Sequence, residues 1–198
     1  MSTTTAPPTG KGARTRAAIL SAAVEQFAAL GARSASVPAI ARAVGVSTSA
    51  VYAYFASKEE LFAAAVDADV AGLIADALPE VVDGRFDGDF ARVLARLFAV
   101  LGAHPLARRV LEGSEAGAME RLTVLPAELR LQEGITAALR QGQRLGTVRA
   151  DIDPVTHAAG LLAVVVALLV SLVQTNGRVD SQYATGAIAV LEAAIRPS

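Results

Sequence analysis

Residues 36–58 hold two short stretches with apolar residues at helical spacing, parted by Gly45-Val46-Ser47. Ser36 suits the N-cap of the first stretch. Pro38 falls in its first turn, where a missing N–H costs little, and Ile40, Ala41 and Val44 share one face. Gly45 stands where the chain must turn sharply, which a residue without Cβ does without strain. Val46 fills the space between the two stretches. Ser47 is placed to cap the second, Thr48–Phe55, in which Val51 and Phe55 point to one side. An earlier stripe of Ile19, Ala23 and Phe27, flanked by Leu20, Val24 and Leu30, predicts a helix that begins near Lys11–Thr15 and ends at Gly31. Two short helices around a glycine turn, braced by a third, make a helix-turn-helix.

The rest of the second stretch then follows from geometry. At about 100° per residue, Ser49 and Ala53 lie opposite Val51 and Phe55, with Thr48 and Tyr52 on one flank and Ala50 and Tyr54 on the other. A small, polar face of this kind fits a DNA major groove. Phosphate contacts must fix its register. Candidates are Arg14, Thr15 and Arg16, Ser36 with the first amides of its helix, Ser47, Lys58, and the hydroxyls of Tyr52 and Tyr54. Charge agrees. Of 18 basic and 19 acidic residues, residues 1–58 hold six basic and one acidic, net +5, leaving the remainder at −6. Such asymmetry points the basic end at a polyanion.

The remaining chain also reads as helix. Ser57-Lys58-Glu59-Glu60 has the form of a capping box and opens a longer helix through Leu61, Phe62, Ala65, Val66 and Leu73. Pro79 and Gly84 mark a break. Further helices are predicted over 89–103, over 106–122 with interruptions at Gly113 and Gly117, from Pro126 to about Leu145, from Pro154 to about Gln174, and over 181–195. That gives an all-α chain of about nine helices, divided into an N-terminal arm (1–10), a helix-turn-helix domain (11–57) and a helical domain (58–198). The uncharged run Ala158–Val173 is shorter than a spanning helix wants and lacks aromatic or basic belts, so it is expected to be a buried helix. Met1–Gly10 is polar, without the apolar core of a leader, and a cytoplasmic location is expected.

Several chemistries find no support. The 198 residues include no Cys and only two His, at 104 and 157, which excludes disulfides and zinc–thiolate sites and argues against a metal cage. Gly10-Lys11-Gly12 lacks the spacing of a phosphate loop. Asp87-x-Asp89 and Asp151-x-Asp153 read as turn and capping residues. No catalytic residue, metal or cofactor is assigned, and an enzyme is not expected.

The stretch Thr15–Asp67 resembles the DNA-binding domain of the TetR family of bacterial transcriptional regulators. The matching residues are Ile19-Leu20-x-Ala22-Ala23-x-x-x-Phe27 and Gly31, then Ile40-Ala41-x-x-Val44-Gly45-Val46-Ser47, then Val51-Tyr52-x-Tyr54-Phe55-x-Ser57-Lys58-Glu59-x-Leu61. The segment Gly146-x-Val148-Arg149-x-Asp151-x-Asp153-Pro154 is similar to the family's link between its seventh and eighth helices. Ser49 and Ala53 depart from the larger or more polar residues often found at their positions. With no Arg, Asn or Gln on this helix, bidentate base contacts are missing, so specificity falls to Thr48, Ser49, Tyr54, methyl contacts and DNA shape.

The resemblance implies a repressor that binds operator DNA as a homodimer and is released by a small ligand. For the subunit contact the last two helices offer Leu162, Val166, Leu169 and Val173, and Ala184, Ala187, Ile188, Leu191 and Ile195. For a ligand pocket the candidates are Phe62, Leu97, Phe98, Leu101, His104, Leu122, Leu125, Leu129, Gln132, Thr136, His157, Leu161 and Val165. Few are polar, which favours an apolar or amphipathic effector. His104, just before Pro105, equally suits a helix-end residue satisfied by its own protein. Two other readings remain open: a DNA-binding regulator without a small-molecule effector, and a helical ligand-binding or interaction protein that has lost specific DNA binding.

Overall fold

The structure, a computed structural model, describes residues 10–115, 125–178 and 181–197. Ten α-helices and one 3-10 turn occur among the described residues, with no strand. The chain divides into two units between Ala68 and Asp69.

The first unit is built around α1 (Lys11–Ser34), α2 (Val37–Val44), α3 (Thr48–Tyr52) and the first part of α4 (Lys58–Ala77). The α1 stripe of Ile19, Ala23 and Phe27 is wholly buried. The helix is interrupted at Gly31, where φ is 79° and ψ 162°. Gly45 closes α2 in the left-handed region at φ 74°, and the N–H of Val46 reaches back to the Ala41 carbonyl at 3.0 Å. Ser47 then caps α3, its Oγ accepting from the N–H of Ala50 at 3.1 Å. At the start of α4, Ser57 Oγ accepts from the N–H of Glu60 at 3.0 Å, and Glu60 Oε2 accepts from the N–H of Ala56 at 2.7 Å. The reciprocal box expected from the sequence therefore forms with its second bond displaced by one residue. The cut expected after residue 57 differs from the observed division because early α4 belongs to this core. Leu61 and Ala65 are buried, and Phe62 meets Phe27 edge-on with ring centroids 5.1 Å apart.

The second unit takes in the remainder of α4, then α5 (Pro79–Val82), α6 (Phe90–Val100) with its 3-10 extension Leu101–Ala103, α7 (Pro105–Leu111), α8 (Pro126–Leu145), α9 (Pro154–Gln174) and α10 (Ser181–Ile195). Residues 79–82, read in the sequence as part of a break, form a helical turn that packs on α8. Gly134 permits this approach, because a Cβ there would stand 2.3 Å from the Val81 carbonyl oxygen. The stretch expected over 106–122 is helical to Leu111, and residues 116–124 lie outside those described. Gln143 Nε2 donates to the carbonyls of Arg149 at 3.1 Å and Ile152 at 2.9 Å, fixing the α8–α9 link. Among the described residues α9 alone is long and apolar enough, by length and composition, to cross a membrane. Seven of its residues, from Ala158 to Val173, are buried in this unit's core.

The acidic pairs act as caps. Asp89 Oδ1 accepts from the N–H of Arg92 at 2.8 Å at the start of α6, and Asp153 Oδ2 from that of Thr156 at 2.8 Å at the start of α9. Asp87 pairs with the Arg92 guanidinium. Arg149 holds Asp151 through two bonds of 2.6 Å and lowers its pKa to about 2.

Candidate nucleic-acid interface and ligand cavity

The α3 helix is anchored from beneath and open above. Val51 and Phe55 are buried at 1% exposure each, while Ser47, Ser49, Tyr52 and Ala53 are exposed and Thr48, Ala50 and Tyr54 are half-buried. Ser47 and Ser49 hydroxyls pair at 2.9 Å. The helix ends at Tyr52, short of the expected Phe55. From there the chain turns so that Phe55 enters the core and Ala56 meets Glu60. Ala53 and Tyr54 thus follow the helix instead of continuing it, and the Tyr54 hydroxyl lies 3.7 Å from where a Cβ on Gly12 would stand.

The residues expected to contact phosphate are held in different states. Arg14 and Arg16 are exposed near the start of α1, and the Arg16 guanidinium sits 5.0 Å from the centre of the Phe55 ring. Thr15 Oγ1 donates to the Lys11 carbonyl at 3.0 Å. Ser36 is exposed and its side chain caps none of the α2 amides. Lys58 Nζ donates to the Arg33 carbonyl at 3.0 Å, tying α4 to the end of α1. One of its three N–H groups is thereby engaged, which the sequence did not foretell. Since α3 carries no acid, the face offers hydroxyls, methyls and one open tyrosine, with the Arg16 guanidinium packed on the Phe55 ring beneath it.

The second unit holds a partly open cavity of about 110 Å³. Its wall draws on α4 (Leu73, Ile74), α6 (Phe90, Val93, Leu97), α8 (Glu128, Leu131, Ile135) and α9 (Leu161, Leu162, Val165, Val166, Leu169), with Val70, Leu78, Val81, Phe86, Ala107, Leu111 and Leu125 completing it. Phe86 and Phe90 pack edge-on, centroids 4.9 Å apart. Among the described residues Glu128 alone gives the wall a polar side chain. Its Oε2 is buried, with no hydrogen-bond partner among those residues, and burial pushes its pKa above the usual carboxylate value.

Beside the cavity, Asp69 joins α4 to α7. Its Oδ2 accepts from the N–H groups of Leu106 at 2.9 Å and Ala107 at 2.8 Å, capping α7. His104 lies between this carboxylate (Nδ1 to Oδ1, 3.3 Å) and that of Asp76 (Nε2 to Oδ2, 3.2 Å). The reading of His104 as a satisfied helix-end residue agrees with this geometry.

Residues 19–65 match the family model described as bacterial regulatory proteins, tetR family. The HTH-type transcriptional repressor SCO4008 of Streptomyces coelicolor is 34% identical over 141 residues, which span 68% of this chain and 67% of that protein. The chain belongs to the TetR family. Its fold is shared by a TetR-family transcriptional regulator of Mesorhizobium loti, with a TM-score of 0.66 at 22% identity over 94% of this chain and 99% of that one. It is shared too by the regulator FadR of Bacillus subtilis in complex with stearoyl-CoA, with a TM-score of 0.66 at 17% identity over 91% and 99% of the two chains. At these identities the two structures speak to fold alone.

The pocket residues expected from the TetR resemblance divide sharply. Leu97, Leu125, Leu161 and Val165 are in the wall. Phe62 packs on Phe27 in the first unit. Leu101 is buried outside the wall, and His104 is held by its two carboxylates. Phe98 and Leu129 face solvent, 41% and 50% exposed. Thr136 bonds the Gln132 carbonyl at 2.8 Å, and neither residue lines the cavity. His157 Nδ1 sits 3.1 Å from the Asp153 carbonyl oxygen, away from the wall. Leu122 lies outside the described residues. On α8 the difference has one cause. The inward stripe is 128, 131, 135, whereas 129, 132 and 136 were expected, a rotation of about 100°.

The residues expected at a subunit contact also turn inward. Leu162, Val166 and Leu169 line the cavity, Val173, Leu191 and Ile195 are buried in the core, and Ala187 and Ile188 pack against it, with Ala184 half-buried. Opposite faces of the two helices stay exposed: Ala159, Gly160, Ala163, Val164 and Ala167 on α9, and Tyr183, Gly186, Ala189 and Val190 on α10.

Proposed function

We propose that this chain is a cytoplasmic, homodimeric repressor that reads operator DNA with α3 and leaves it when a small ligand occupies the cavity of the second unit. The observation that carries the reading is the outward face of α3. It is small, free of acids and set on the buried Val51 and Phe55, and the same unit carries Arg14, Ser36, Lys58 and Arg16, whose guanidinium lies 5.0 Å from the centre of the Phe55 ring. Cations of this kind neutralise phosphates and release counterions, so affinity falls steeply with salt. Specificity rests on Thr48, Ser49, Tyr54, methyl groups and groove shape. The 34% identity to a transcriptional repressor supports the sign of regulation.

The exposed faces of α9 and α10 suit the second copy. Their Ala and Gly residues allow close helix approach, and Val164, Val190 and Tyr183, 40%, 69% and 60% exposed, are a poor match for water. A two-fold dimer presents two α3 helices to half-sites about one DNA turn apart or somewhat more. A ligand that weakens DNA binding must in turn bind the DNA-bound form more weakly by the same factor.

Fluorescence anisotropy on the intergenic DNA beside the chain's own gene, at two salt concentrations and with unrelated DNA as competitor, tests this directly. Tight, salt-sensitive binding that survives competitor supports the reading. Equal affinity for unrelated DNA, repeated across a genome-wide fragment selection, overturns it in favour of a helical ligand-binding protein. Specific binding that no ligand relieves leaves a regulator without an effector.

A further inference from the structure

The cavity wall has a chemical polarity of its own. Among the described residues Glu128 is its single polar side chain, and Oε2 is buried with no partner among them. A buried oxygen left unpaired carries its full desolvation penalty, so whatever supplies a donor there recovers it. No Lys, Arg or His is in the wall among the described residues, so an anionic headgroup would meet a carboxyl group and no cation. Phe86 and Phe90 add aromatic surface on the same space, and ring faces attract cations. The volume sets the size: at about 110 Å³, it is comparable to the engineered apolar cavity of about 150 Å³ that holds benzene. We propose that the cavity takes a compact lipophilic cation, an amine on a single-ring or branched alkyl body, whose N–H donates to Glu128 Oε2. This rests on the ligand-release reading above and names the effector's class. Desolvation of Glu128 agrees with it, since a carboxyl disfavoured in its charged form when alone is restored to it by a cation.

The test uses three compact probes of similar shape and different charge: benzylamine, benzyl alcohol and benzoate. Each is titrated calorimetrically into the full chain and into Glu128→Gln, whose folding is checked by its thermal midpoint. The amine binds about tenfold more tightly than the alcohol, the scale of one charge-assisted bond, and the acid binds most weakly. Glu128→Gln erases the preference for amine and leaves the alcohol unchanged. Phe86→Leu weakens the amine about threefold with less effect on the alcohol. Binding of the acid as tightly as the amine, a preference that survives Glu128→Gln, or no binding by any of the three overturns the inference. Anisotropy on operator DNA is read in parallel. An amine that binds without releasing DNA defeats the ligand-release reading alone, whereas release by the acid and not by the amine defeats this inference alone.

Discussion

In the first unit Ile19, Ala23, Phe27 and Ile40 are wholly shielded from solvent, and Phe27 meets Phe62 edge-on at 5.1 Å. In the second, Leu73, Phe90, Leu97 and Leu161 are nearly as well shielded, yet they surround about 110 Å³ of empty space. Protein interiors ordinarily reach the density of organic crystals. A wall atom that faces a void has lost its dispersion partners on that side. The contrast separates a unit whose buried side chains include Val51 and Phe55, on which α3 rests, from one whose wall leaves contacts unmade.

Truncation at the two cores measures that difference. Phe27→Ala is expected to cost about 4 kcal/mol, with cavity and transfer terms both paid in full, and to abolish DNA binding by unfolding the first unit. Leu161→Ala removes atoms that already border a void, and should fall near the low end for such changes, about 2 kcal/mol. Denaturant titration followed by circular dichroism reads both. Equal losses would break the comparison. Asp69→Ala strips two N-terminal amides of α7 of their acceptor and removes one carboxylate from the buried His104. A loss of about 2 kcal/mol is expected. Asp69→Asn, which keeps an acceptor oxygen, should lose less.

A smaller change reverses sign between the units. Ala23 has no exposure, so Ala23→Val is expected to overpack and destabilise by about 1 kcal/mol or more. Ala107 borders the cavity, and Ala107→Val should stabilise by about 0.5–1 kcal/mol while weakening any ligand that uses the space. Thermal midpoints of the two variants settle the matter, and a shared sign would show that the cavity is not open to side chains.

The same contrast explains what the sequence made legible. The helix-turn-helix announces itself through residues whose local roles are unambiguous: Gly45 in the left-handed region, Ser47 and Ser57 as caps, and Val51 and Phe55 on one face of a very short helix. Helix ends marked by Pro126, Gly146 and Pro154 were equally readable. Faces were not. On α9 nearly every position is apolar, so periodicity alone could not say that Leu162 and Leu169 turn inward while Ala163 and Val164 turn out. On α8 the acid Glu128 faces the cavity and Leu129 faces water, the reverse of what hydropathy prefers. The signal that could have found the wall was the recurrence of Phe90, Val93 and Leu97 on one side of α6. Only tertiary packing shows that residues of five other helices, α4, α5, α7, α8 and α9, line the same space.

The smallest effect tests the polarity of the empty space without any ligand. Burial raises the pKa of Glu128 above its ordinary 4.5, so the folded chain binds this proton more readily than the unfolded chain does. Stability is therefore lost as pH rises through that interval, and the loss is complete above the folded pKa. Glu128→Gln removes it. The variant should match the parent at low pH and exceed it at pH 7.5, by about 1 °C in Tm. Asp151 runs the other way. Held at about 2 by Arg149, it contributes above its ordinary 3.8 and loses that contribution as pH falls toward 2, so Asp151→Asn should fall below the parent at neutral pH and converge with it in acid. A Glu128→Gln curve shaped like that of Asp151→Asn would mean that the carboxylate has a stabilising partner in solution, and the cavity would then offer a visiting cation nothing to complete.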